Sequence, residues 1–162
     1  MKRYLSAVLI ASGASLVLGA GHAVAAVTVT FTQPENYVDM PFSSWEKDTV
    51  MKDLRGHFDK MGAKLPQGQD LKVEVLDIDL AGQIEPRTRG THDFRVLRGR
   101  ADWPTIQLRY SIESQGKVVK SGEARINDMN YLQNQISRYS ANESLRYEKR
   151  MLDEWFKTVL KE

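Results

Sequence analysis

Leu71-Lys72-Val73-Glu74-Val75-Leu76-Asp77-Ile78-Asp79-Leu80 is the stretch on which the architecture turns. Leu71, Val73 and Val75 share one face of an extended chain, while Leu76, Ile78 and Leu80 bring apolar residues to the other face towards its end. A strand partly covered on both faces belongs inside a sheet, so the segment predicts a central strand closed by Ala81-Gly82. Upstream, Val27-Thr28-Val29-Thr30-Phe31-Thr32 alternates apolar and hydroxyl residues, the period of a half-buried strand. Between the two, Ser43-Ser44-Trp45-Glu46 reads as a capping box. Val50, Met51, Leu54, Phe58, Met61 and Leu65 follow at helical spacing, which predicts a helix over 44–63 stopped by Gly62 and Pro66. A helix between the first two strands favours a right-handed crossover that sets them parallel.

Downstream, residues 83–103 form a long charged connection, with a short strand expected over Phe94–Leu97. Ile106, Leu108, Tyr110 and Ile112 alternate again, Gln115-Gly116 offers a tight turn, and Lys117–Ile126 returns as the antiparallel hairpin partner. Asp128–Tyr139 is ambiguous; one short helix carrying Leu132, Ile136 and Tyr139 fits it. A second capping box, Ser140-Ala141-Asn142-Glu143, is read as opening a final helix with Leu145, Leu152, Trp155, Phe156 and Val159 on its apolar stripe. The expected fold class is α+β: a mixed sheet of about four strands, in the order β-α-β-loop-β-β-α, with two main helices packed on one face.

The first residues predict an address. Lys2 and Arg3 precede an uncharged apolar run from Leu5 to Gly21, which ends at Ala23-Val24-Ala25. These are the three parts of a secretory signal peptide, with cleavage expected after Ala25. The rival reading, an uncleaved anchor, suffers from Ser12, Gly13, Ser15, Gly19 and Gly21 in the run. A chain without cysteine excludes lipid attachment at cysteine, disulfides, thiol catalysis and thiolate metal sites. The expectation is therefore a periplasmic protein that is not a lipoprotein, with a leader over 1–25 and one α+β domain over 26–162. Removing 25 of 162 residues leaves 137 and takes away Lys2 and Arg3. The 23 basic against 21 acidic residues become 21 against 21. Such a balanced domain has no field to draw it onto nucleic acid, and no later stretch is apolar enough to span a membrane.

Five ordered segments add a resemblance. They are Pro34–Asp39, Leu65–Gln69, Asp77–Gly82, Asp102-Trp103-Pro104 with Leu108-Arg109-Tyr110, and Tyr147–Leu152 with Trp155-Phe156. Together they resemble the bacterial exported family catalogued as domain of unknown function 3016. The resemblance spans nearly the whole mature chain. It implies a Gram-negative envelope setting, and brings neither an activity nor a catalytic residue.

Asp77 and Asp79 sit two apart on a strand, so their carboxylates share a face, where such a pair holds a hard cation or bonds to amides and arginines. His92 and Asp93 lie in the long loop; with Asp77 and Asp79 they would make a mixed nitrogen–oxygen metal site, although the histidine spacing carries no metal signature. His57 falls one turn after Asp53 and reads as half of a surface pair. Arg87, Arg89 and Arg95, with Arg98 and Arg100, form a guanidinium-rich loop suited to a small anionic ligand. Trp45, Trp103 and Trp155 read as packing anchors, with Trp103 also placed to grip a partner at a loop-to-strand junction. There is no nucleophile elbow and no phosphate-cradling glycine loop. The preferred expectation is a non-catalytic binding or envelope accessory module that requires no cofactor. Its ligand-binding candidates are Asp77, Asp79, Arg87, Arg89, His92, Arg95 and Trp103, and its partner is an envelope protein or a small anion. The alternatives are a small metal-dependent hydrolase using Asp77, Asp79, His92 and Asp93, and a structural or stress-related interaction protein.

Overall fold

A computed structural model describes residues 25–85, 94–134 and 139–161. Along these residues run β1 (Val27–Phe31), a 3-10 turn (Pro34–Asn36), α1 (Ser44–Gly62), β2 (Gln69–Asp79), β3 (Gln83–Glu85), β4 (Phe94–Val96), β5 (Thr105–Ser114), β6 (Lys117–Asn127) and α2 (Arg146–Lys161). The main sheet has the order β1-β2-β5-β6, with β1 parallel to β2 and the other neighbours antiparallel. β3 and β4 form a separate two-stranded hairpin. The mixed α+β sheet, its parallel first pair and its later hairpin match the expectation from periodicity.

Both helices lie on one face, because only one face of the sheet is apolar. Leu54, Phe58 and Met61 of α1 and Leu152 and Phe156 of α2 join Leu71, Val75, Ile106 and Leu108 in a single core. The other face is open and polar. There Arg109 pairs with Glu74 and Glu123, and Lys72 with Glu113. Water screens exposed pairs of this kind, so they add little to stability.

Three expectations need correction. The apolar residues of β2 do not serve two faces. A bulge at Leu76, between Val75 opposite Leu108 and Asp77 opposite Gln107, shifts the alternation by one residue. Leu71, Val73 and Val75 before it, and Ile78 and Leu80 after it, therefore all point into the same core. The second capping box also does not open the last helix. α2 starts at Arg146 after Leu145 in the left-handed region at φ 53, and the Glu143 carboxylate pairs with Lys149. Within Asp128–Tyr139, the described residues 128–134 form turns rather than a helix, and Ile136 lies outside the described residues.

Candidate functional site at the carboxyl end of β2

The bulge and the three residues after it organise the surroundings of Asp77 and Asp79. Tyr37 donates its hydroxyl to the Val75 carbonyl at 2.8 Å. Burial pushes that hydroxyl up to about 12, so it stays a donor. The amides of Val38 and Ile78 both donate to Asp77 Oδ1 at 2.9 Å. The Asp39 amide donates to the Ile78 carbonyl at 3.1 Å, which makes an isolated parallel bridge to Asp79. Arg95 then grips the Asp39 carboxylate with two nitrogens, at 2.5 and 3.3 Å, and donates to the Gly82 carbonyl at 2.9 Å. A planar guanidinium can grip a carboxylate with two nitrogens and still donate to a turn; lysine, with one nitrogen, cannot make the two-nitrogen grip.

Asp79 titrates above its ordinary range. Burial is the main cause, the neighbouring Asp39 and Asp77 charges add to it, and Arg95 and Arg125 pull against it. Asp77 and Asp39 are thus spent on structure: Asp77 on two amides, and Asp39, which is not among the candidates read from the sequence, on Arg95. Among the described residues, no group of three or more His, Asp or Glu is arranged to hold a metal ion. Arg87, Arg89, His92 and Asp93 lie outside the described residues.

These bonds pin residues 37–39 to β2 and leave large apolar side chains in water. Val38 is 70% exposed, Phe42 85% and Trp45 71%. Beside them runs a groove of about 480 Å³ lined by Tyr37, Met40, Pro41, Phe42 and Ile84, with Glu35 and Lys47 among its charged walls. Trp45, expected as a packing anchor, sits in the first turn of α1, before the buried stripe begins at Val50. Trp103 is partly buried and packs against a small second cluster of Ala81, Tyr131 and Tyr147. Trp155 does pack, edge-on to Tyr110 at 5.3 Å.

His57 is no surface partner of Asp53. It is 5% exposed and faces α2, with Nε2 3.5 Å from Asp153 Oδ1, while Asp53 receives the Ser144 hydroxyl. Burial lowers the imidazole pKa; Asp153 pulls it back up, and Lys149 and Lys64 add to the lowering.

An open-faced mixed sheet backed by two helices defines a small α+β domain. The chain belongs to the family described as protein of unknown function (DUF3016), whose profile matches residues 25–158. Neither a curated protein nor a solved structure matches it. No helix among the described residues is long and apolar enough to cross a membrane.

Proposed function

We propose that this chain is a non-catalytic accessory module of the periplasm, exported by its leader, that holds an envelope protein on the surface formed by Val38, Phe42 and Trp45. One observation carries the reading: three large apolar side chains stand in water, Val38 on the segment fixed by the Tyr37, Val38 and Asp39 bonds, and Phe42 and Trp45 directly after it in the chain. Exposed apolar groups scattered singly need no explanation, but a cluster on a pre-ordered support has the character of a binding hot spot. Pre-ordering also removes much of the entropy cost of docking. Leader removal has its own check: terminal sequencing of the periplasmic fraction should begin at Ala26, and intact precursor in the membrane pellet would contradict it.

The surface is tested by immobilising the domain 26–162 and its Phe42→Ser/Trp45→Ser variant against envelope extract. A protein partner is expected on the wild type. Its affinity should fall by at least about tenfold in the double variant, as for loss of hot-spot aromatics. The melting temperature should barely move, because exposed substitutions change stability by about 0.5 kcal/mol or less. An identical set of retained proteins on both forms would refute the surface.

A further inference from the structure

On the far side of the Arg95 junction from that rim lies a second recess, which the partner surface does not use. It is a cleft of about 250 Å³ bounded by Leu80, Ala81, Arg95, Leu97 and the segment from Ala141 to Glu148. Its charges can be followed one by one. Arg95 is neutralised by Asp39, and Lys149 pairs with Glu143 at 3.3 Å. Arg146 donates to the Ala141 carbonyl at 3.1 Å and to the Tyr147 hydroxyl at 2.8 Å, and lies over the Tyr147 ring. Both acceptors are neutral, and among the described residues no carboxylate pairs with it. A guanidinium carries enough N–H groups to leave donors over after those two bonds.

The remaining group is Glu148, which is 3% exposed and accepts the Ala81 amide at 2.8 Å. Burial raises its pKa; its bonds to backbone amides and the charges of Arg95 and Lys149 oppose the rise and are outweighed. With Glu148 protonated, the charged residues lining the cleft and their ion-pair partners are Arg95, Arg146 and Lys149 against Asp39 and Glu143, one positive charge in excess. Ionising Glu148 cancels that excess.

We propose that this cleft binds a carboxylate monoanion, with Arg146 as its cation, Glu148 as a hydrogen-bond donor to it, and Leu80, Leu97 and Leu145 around its hydrocarbon part. A planar carboxylate matches the guanidinium fork, and a single negative charge matches the single excess positive one. A dianion such as phosphate leaves a surplus charge in a recess that is half apolar. The anion is either a small organic acid or the free end of a peptide chain, and both present the same group. The ligand binds the protonated form of Glu148, so affinity falls as the pH is raised through the Glu148 titration.

The test is a titration of the domain 26–162, followed by amide chemical shifts around Ala81 and residues 141–148. The probes are butyrate, an N-acetylated dipeptide with a free carboxyl end, the same dipeptide amidated, and inorganic phosphate. Butyrate or the peptide acid should shift the cleft amides and the amidated peptide should not; butyrate binding indicates the small acid, and binding of the peptide acid alone indicates the chain end. Each unit of pH above the Glu148 titration should cost about tenfold in affinity. Glu148→Gln keeps an acceptor for the Ala81 amide and a donor for the ligand, so it should bind with that pH dependence flattened. Arg146→Gln should abolish binding, and Arg146→Lys should restore part of it. Equal binding of the amidated peptide, tighter binding of phosphate, an unchanged pH profile in Glu148→Gln, or no shift from any probe would overturn the proposal.

Discussion

Asp153→Ala is expected to destabilise the fold by about 3 kcal/mol, the scale for leaving a buried network with one partner removed. Asp153 is 7% exposed and ties three separate pieces of chain to α2. It accepts Lys64 Nζ at 3.1 Å and the Tyr139 hydroxyl at 2.7 Å, and stands 3.5 Å from His57. The direction of its titration agrees with a favourable site. Burial by itself raises the carboxyl, yet Tyr139, Lys64 and His57 together hold it below its ordinary value. A group depressed in the folded state stabilises above its unfolded pKa and loses that contribution as the pH falls through the carboxylate range. Urea titrations should therefore show a wide gap between wild type and Asp153→Ala at neutral pH that narrows in acid. Asp153→Asn keeps an acceptor for Tyr139 and should lie between the two. A gap that persists undiminished in acid would mean that packing, not charge, accounts for the loss.

The second large effect is expected at Gly82→Ala, with a cost of about 2–4 kcal/mol from backbone strain plus overpacking. Gly82 has φ 82, where any Cβ is strained. An added Cβ would also meet the Val96 carbonyl oxygen at 2.5 Å and Leu97 Cδ2 at 2.7 Å. The first of these is backbone and cannot swing away, so β4 must move off β3. That movement would pull Arg95 from the Gly82 carbonyl and slacken its grip on Asp39. Hydrogen exchange should consequently accelerate in the β3–β4 hairpin and at the Val38 and Asp39 amides, while the β5–β6 amides stay protected. Uniform acceleration across the sheet would contradict a local linkage between the turn and the pinned rim.

What could be read from the residues and what could not follow the reach of the interactions. Alternation in Val27–Phe31 and Ile106–Ile112, the Ser43 cap and the stripe from Val50 to Met61 are local, and each became the expected element. The bulge at Leu76 was written in the sequence as a change of phase, but apolar residues on both faces have two meanings, and only pairing with β5 chooses between them. Ser140–Glu143 carries the letters of a capping box, yet Glu143 finds a better partner in Lys149 and the helix begins later. Among the candidate residues, Asp77, Asp79 and Arg95 do meet at one strand end. Asp39 was missed because a carboxylate between two prolines gives no periodic signal. His57 was misplaced because its partner Asp153 lies on another helix, beyond the range of any spacing rule. Glu148 was missed for a related reason: a glutamate in the first turn of a helix reads as an exposed dipole partner, and only the approach of Ala81 buries it.

The surface of Val38, Phe42 and Trp45 is probed most directly by cross-linking in intact cells. A photoreactive phenylalanine analogue placed at position 42 is compared with the same group at Val118, which is also exposed but lies on the far edge strand. A discrete adduct with one envelope protein from position 42, absent from position 118, is the result this reading of the molecule requires. The same adducts from both positions, or none from position 42 in cells where the protein is abundant, would contradict it.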